Sequence, residues 1–202
     1  MTMNPYEDLV DLKLDKPIWD RFFIVHNLVV VGSREPDGEY DLAPKHMAIP
    51  MGWQNYFGFV CTPKHRTYTN IQSTGEFTVS YPRPSQLVAT SLSASPRCDD
   101  DTKPTLLSLP TFDAGGVDAK FLSDSYLLLE CKLHRIVDGF GENSLITGEI
   151  TAANVGRDAL RTEERDDTDV IYDSPLMAYL SPGRFTSVRE SRGFPFPEDF
   201  KR

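Results

Sequence analysis

The feature that most restricts the fold of this chain is a stretch of alternating residues near its middle. Between residues 125 and 137 an apolar set and a polar set take alternate positions: Leu127, Leu129, Cys131 and Leu133, and Glu130, Lys132 and His134. Side chains of a β-strand point in turn to the two faces of its sheet, so this period of two predicts a strand with one buried side. Such strands are typical of antiparallel sheets.

Further strands are predicted on both sides of this one. Segments rich in β-branched and aromatic residues, with turn-forming residues between them, cover residues 22–32, 53–61, 77–81, 144–155, 176–180 and 184–188. Strands therefore outnumber helices, which favours a mainly β fold, an antiparallel barrel with a few short helices. The length of 202 residues suits one domain over residues 1–202.

A short helix is predicted between two of these strands. Thr69 and Gln72 have the spacing of a capping box, and Gly75 stands where a left-handed residue would end the helix. The start of such a helix presents unpaired N–H groups and roughly half a positive charge. Two cations and three hydroxyl groups lie near it in the sequence: Lys64, Arg66, Thr62, Thr67 and Thr69.

This combination has two interpretations. It suits a phosphate monoester, whose charge at neutral pH is about −1.5 to −2. Alternatively, the polar residues only keep the start of a helix in contact with water.

Composition excludes several classes of partner. The net charge of −9 disfavours nucleic acid and anionic membrane as main partners, although a local basic site is still possible because charges beyond about 8 Å are largely screened. Three cysteines without a C-x-x-C motif favour a reducing, cytoplasmic setting. The polar N-terminus predicts no signal peptide, and the apolar runs are too short to cross a bilayer.

Neither a metal site nor a hydrolytic site is predicted. The acidic run Asp99-Asp100-Asp101 lacks the spacing of a calcium loop. None of the four histidines shows the His-x-x-x-His spacing of a zinc hydrolase. No side chain is therefore assigned as a catalytic acid, base or nucleophile.

Four stretches carry a resemblance to a known family: Asp41-Leu42-Ala43-Pro44; Arg66-Thr67-Tyr68-Thr69-Asn70-Ile71 with Thr74-Gly75-Glu76-Phe77; Glu130-Cys131 with Gly148-Glu149; and Pro175-Leu176 with Tyr179 and Gly183. In order and spacing they resemble the flavin reductase-like family, the FMN-binding split barrels. The resemblance implies a Greek-key split β-barrel over about residues 22–188, preceded by an arm at residues 1–20 and followed by a tail at residues 189–202.

The resemblance also implies a set of FMN-binding residues. Carried over by position, Arg66, Thr67, Thr69 and Asn70 would hold the phosphate, and Cys61 and Thr62 would lie near the ribityl chain. The isoalloxazine ring would be lined, largely through backbone groups, by Lys45, His46, Met47 and Ala48. A cation near the ring, for which Lys45 is the candidate, would stabilise anionic reduced flavin. His46 is equally consistent with a partly buried turn histidine, and Cys61 with a small packed residue.

The implied activity is that of an oxidoreductase in which bound FMN accepts a hydride from NAD(P)H. One alternative is a flavin- or haem-binding electron-transfer or carrier protein that does not oxidise NAD(P)H. A second is a structural barrel whose basic cluster binds only solvent. The family and the aromatic tail, with Phe194, Phe196 and Phe200, further predict a homodimer. The sequence leaves the small-molecule electron acceptor open.

Overall fold

The structure, a computed structural model, describes residues 6–200; the first five residues of the predicted arm and the last two of the tail lie outside the described range. Within it the strands are β1 (Ile24–Asn27), β2 (Val29–Arg34), β3 (Tyr40–Lys45), β4 (Ala48–Pro50), β5 (Tyr56–Cys61), β6 (Glu76–Tyr81), β7 (Thr111–Asp113), β8 (Lys120–Leu122), β9 (Leu127–Phe140), β10 (Asn143–Val155), β11 (Leu176–Ser181) and β12 (Arg184–Val188). The α-helices are α1 (Arg66–Thr74), α2 (Leu87–Leu92) and α3 (Asp167–Asp173), and short 3-10 helices cover Pro84–Gln86 and Pro104–Ser108.

The strands form one large curled sheet and two small ones. The large sheet has the order β3-β2-β6-β9-β10-β5-β4, and the smaller sheets are β1-β11-β12 and β7-β8. Neighbouring strands pair antiparallel throughout these sheets. Strand β3, at one edge of the large sheet, also contacts β5 near the opposite edge, so the sheet curls into a half-barrel. The predicted mainly β, split-barrel architecture is thereby confirmed.

Helix α1 is fixed to this barrel by its apolar side. Ile71 is fully buried against the aromatic core formed by Phe57, Phe59 and Phe77. Burial of one such side chain contributes about 1.5–3 kcal/mol. The helix also contacts β2 and β3. Its start is therefore held at a fixed place beside the end of β3.

The core leaves no room for a side chain at Gly148 on β10. A Cβ at this position would lie 2.6 Å from the ring of Phe77. The pairing of β10 with β9 shifts its register between Thr147 and Gly148. Glycine is required because any larger residue would push the ring out of its packed position.

Two expectations about the strands are wrong. The predicted strand at residues 22–32 is two strands, because the chain changes sheets at Leu28: Asn27 pairs with Ala178 on β11, and Val29 pairs with Lys45 on β3. Glu130, assigned to the solvent-facing side of β9, is 6% exposed. Its carboxylate accepts N–H bonds from Gly115 and Gly116 at 2.9 and 2.8 Å, which compensates for its burial.

Among residues 6–200, no helix is both long enough and apolar enough to cross a bilayer.

Candidate functional site

The start of helix α1 lacks a side-chain cap. The helix begins at Arg66, its N-cap residue is His65, and the first turn contains no acidic residue. The predicted capping box is wrong because Thr69 lies within the helix, where its hydroxyl donates to the Arg66 carbonyl at 3.1 Å. The predicted C-terminal stop is confirmed: Gly75 is left-handed, with φ 73°. The Tyr68 N–H donates to the His65 carbonyl at 3.0 Å, so the N–H groups of Arg66 and Thr67 are the ones that remain available to an anion.

Both cations predicted beside this start are engaged by carboxylates. Arg66 pairs with Asp101. Lys64 pairs with Glu142 at 3.1 Å, and both of these side chains are largely exposed. An exposed ion pair contributes about 0–1 kcal/mol. A ligand with more charge and more acceptor atoms would therefore replace the carboxylate at Arg66 at little cost.

Thr67 and Asn70, two of the predicted phosphate-binding residues, are each 1% exposed. The Asn70 amide nitrogen donates to the Ser33 hydroxyl at 3.1 Å. Its amide oxygen is buried and has no hydrogen-bond partner. Rotation of the amide exchanges its donor and its acceptor, and a hydroxyl such as that of Ser33 serves as either. One hydrogen-bonding position of the Asn70 amide is therefore not used by the protein.

Lys45 lies next to Cys61 between the start of α1 and strand β4. It is 8% exposed. Asp41, on the same face of β3, forms its ion pairs with Lys103 and Arg97 instead. Among the described residues, Lys45 takes part in no ion pair within 4.0 Å.

The charge of Lys45 is felt by its neighbours. Burial raises the pKa of the Cys61 thiol, and Lys45 acts in the opposite direction through its charge and a hydrogen bond. Burial lowers the pKa of His65, and the charge of Lys45 lowers it further. A nearly buried ammonium without a carboxylate is costly unless an anionic or strongly polar group comes to it.

Residues His46 to Ala48 extend the candidate site toward the β1-β11-β12 sheet. The His46 ring lies 4.8 Å from the Tyr179 ring and 5.3 Å from the His26 ring, centroid to centroid. Burial lowers the pKa of His46, and the charges of His26 and Lys45 lower it further, so this imidazole is neutral at pH 7. Met47 is held beside β5 because its carbonyl accepts the Val60 N–H at 2.9 Å.

Lys45 and Cys61 lie at the ends of β3 and β5, whereas Asn70 bonds Ser33, which pairs with Asp41 near the start of β3. The predicted site residues do not line one cavity. His46, Met47 and Ala48 line a largely apolar cavity of about 540 Å³ between the two larger sheets. Arg66 lines a second cavity of about 620 Å³, and Thr62 lines a third of about 300 Å³. The remaining predicted site residues line none of these three cavities: Lys45, Cys61, Thr67, Thr69 and Asn70.

Sequence reasoning missed three residues of this region: Ser33, Asp101 and Lys103. Ser33 bonds Asn70, Asp101 pairs with Arg66, and Lys103 pairs with Asp41. In the sequence Asp101 stands out only as part of an acidic run, whereas in the structure it pairs with Arg66. Across residues 6–200, no group of potential metal ligands is close enough to hold an ion.

The comparison with protein families decides the identity of this fold. The family model described as "Flavin reductase like domain" matches residues 21–185. The chain belongs to the flavin reductase-like family. The resemblance read from the four motifs is thereby confirmed.

Solved structures agree with the flavin reductase-like assignment. The 2-nitrobenzoate 2-nitroreductase of Pseudomonas fluorescens aligns with TM-score 0.73 and 18% identity, over 88% of this chain and 87% of that one. Flavoredoxin of Desulfovibrio vulgaris (Miyazaki F) aligns with TM-score 0.73 and 19% identity, over 94% and 99%. An FMN-binding protein of Thermus thermophilus aligns with TM-score 0.75 and 18% identity, over 93% and 100%.

At these identities the alignments establish a shared fold. Among curated proteins, none has significant similarity to this flavin reductase-like chain.

Proposed function

We propose that this flavin reductase-like chain binds FMN between the start of α1 and residues 45–48 and acts as an NAD(P)H-dependent oxidoreductase. The observation that supports it most strongly is Lys45, an ammonium that is 8% exposed and has no ion-pair partner among the described residues. When bound, FMN supplies a hydride acceptor. Lys45 would supply positive charge near the bound ring, where it would stabilise anionic reduced flavin.

The residues at the helix start fit the phosphate. Arg66 offers a planar guanidinium, and the uncapped start of α1 offers backbone N–H groups. Asn70 adds a buried amide with one unused position. Thr69 completes the set as an exposed hydroxyl on the first turn.

The residues at the other end fit an apolar, planar ring. Met47 is 41% exposed and offers an apolar surface beside β5, whereas Ala48 is buried, at 1% exposed. Neutral His46 is available as a hydrogen-bond donor or acceptor. Cys61, whose pKa is raised by burial, is a neutral packed thiol at pH 7.

Anaerobic reduction tests the proposed activity. The purified chain, loaded with FMN, is expected to be yellow and to lose its absorbance near 450 nm when NADH or NADPH is added. A chain that binds FMN and is bleached by dithionite, but by neither nicotinamide, would be an electron-transfer or carrier protein. A chain that takes up no FMN would contradict both functions.

We also propose that the chain forms a homodimer, in which the tail completes the partner's site. The Phe196 and Phe200 rings stack with centroids 4.6 Å apart, and the Phe194 ring lies tilted against Phe196 at 4.7 Å. Phe194, Phe196 and Phe200 are nevertheless 73%, 46% and 52% exposed. A contiguous aromatic surface of this kind is typical of an interface.

Deleting the residues after Ser191 is expected to shift the sedimentation coefficient from dimer to monomer, or to lower the flavin content per chain. The physical reason is that the deletion removes the three aromatic rings. A control chain with charged substitutions on the distant α3, such as Asp169→Lys, should keep its assembly and flavin. A truncated chain that matches the full chain in both measurements would contradict this role of the tail.

A further inference from the structure

A segment far from α1 in the sequence is anchored over its start by two cations, the buried Lys103 and the partly buried Arg97. Arg97 pairs with Glu35 and, at 3.4 Å, with Asp41. The Lys103 ammonium, in a side chain that is 7% exposed, donates to the Asp41 carboxylate at 3.1 Å. It also donates to two backbone carbonyls, those of Leu42 at 2.9 Å and Ser93 at 2.7 Å. These contacts fix both ends of the segment, and the contacts of Lys103 compensate for the burial of its charge.

The tip of the segment has a defined shape of its own. The Asp101 N–H donates to the Cys98 carbonyl at 2.9 Å, and the Cys98 N–H donates to the Thr102 carbonyl at 2.8 Å. Arg97 donates to the Asp101 carbonyl at 2.6 Å. Asp101 is left-handed, with φ 64°, a conformation that aspartate and asparagine tolerate better than other side chains. This shape presents the Asp101 carboxylate to Arg66.

We propose that Asp101 is an internal competitor for the phosphate of FMN: its carboxylate holds Arg66 in the ligand-free chain and gives up Arg66 when the phosphate binds. The inference rests on the proposed function, because it assigns a second partner to the same arginine. The tip at residues 98–102 is then the part of the chain that changes its contacts when FMN binds.

The relative strength of the two partners gives the direction of the exchange. The Arg66 and Asp101 side chains are 41% and 51% exposed, and a pair this exposed changes an equilibrium constant by roughly fivefold at most. A phosphate monoester has about twice the charge of a carboxylate, three strong acceptor oxygens and access to the free N–H groups of α1. Phosphate and carboxylate also repel each other, so Asp101 does not remain at Arg66.

Binding of FMN and riboflavin, followed by quenching of flavin fluorescence, tests this competition. Asp101→Asn is expected to tighten FMN about fivefold, because the competitor is gone, and to leave riboflavin unchanged, because riboflavin has no phosphate. Asparagine keeps the left-handed backbone at this position. Asp99→Asn is the matched control: it removes the same charge from the same tip, away from the pair with Arg66, and should change FMN binding less than twofold.

Hydrogen exchange gives a second, independent measurement. FMN is expected to raise the exchange of the amides at residues 98–102 in the unmodified chain, whereas riboflavin is not. Asp101→Asn should abolish this difference between the two ligands.

Two results would overturn the competition alone. One is unchanged or weaker FMN binding in Asp101→Asn while the unmodified chain binds FMN normally. The other is equal tightening in Asp99→Asn, which would indicate a general charge effect. Failure of the unmodified chain to bind FMN at all would instead remove the proposed function, and the competition with it.

Discussion

Arg66→Ala is expected to weaken FMN binding about thirtyfold and to leave riboflavin binding unchanged. A hydrogen bond to a charged group contributes about 1.5–3 kcal/mol, and about 2 kcal/mol corresponds to this factor. The loss is limited to FMN because the guanidinium has no partner on a flavin without phosphate. Titration of each flavin with the purified variant, followed by fluorescence quenching, measures both affinities.

Arg161→Ala is the matched control for this change. Arg161 is an exposed arginine that forms an ion pair with Asp167 at 2.6 Å, outside the cavities described above. Its replacement by alanine therefore removes an equivalent ion pair and charge. It should leave both affinities within twofold. Equal losses of FMN and riboflavin in Arg66→Ala would show that Arg66 acts through the local fold and not through a phosphate.

Lys103→Met is expected to lower the free energy of unfolding by about 3 kcal/mol. The substitution keeps the apolar stem but removes an ammonium that bonds Asp41 and two backbone carbonyls. Removing one partner from a buried ionic group costs about 3–5 kcal/mol. Because Arg97 still pairs with Asp41, we expect the lower end of that range. Urea denaturation measures the change as a lower midpoint at an unchanged slope.

Lys64→Met provides the comparison, since the same substitution is made at a lysine whose side chain is 73% exposed. The expected loss there is below about 1 kcal/mol. If the two variants unfold at the same urea concentration, the contacts of the Lys103 ammonium do not stabilise the fold as the structure implies. A loss of stability in Lys103→Met but not in Lys64→Met would support this contribution.

The sequence predicts those parts of the fold whose signals are local. The alternation around Cys131 predicts β9, and the Ser181-Pro182-Gly183 turn predicts the β11–β12 pair. Gly75 marks the end of α1 because a left-handed residue is needed there. Each of these signals depends on residues within a few positions of one another.

The parts that sequence analysis missed depend on residues far apart in the chain. Nothing near Leu28 marks the change of sheet, because the residues on both sides are strand formers and differ only in their partners. No element is predicted for the segment that forms α3, although Asp166 caps that helix by accepting the Thr168 N–H at 2.7 Å. The pair of Arg66 with Asp101 joins an irregular segment to a helix, and neither local pattern indicates it.

The same limit applies to the candidate site. Motif positions indicated which residues lie near the ends of β3 and β5. They did not indicate that Lys45 is buried without an ion-pair partner within the described range, or that Asn70 is held by Ser33. Both facts depend on how β2, β3 and α1 pack together. Burial and pairing are properties of that packing, so sequence spacing alone could not supply them.

We propose that the start of α1 and Lys45 together form an FMN site, and titration of the unmodified, flavin-free chain with FMN and with riboflavin under identical conditions tests it. We expect saturable binding of one FMN per chain, with a dissociation constant at least tenfold lower than that of riboflavin. Equal affinities for the two flavins, or no binding of FMN, would contradict it.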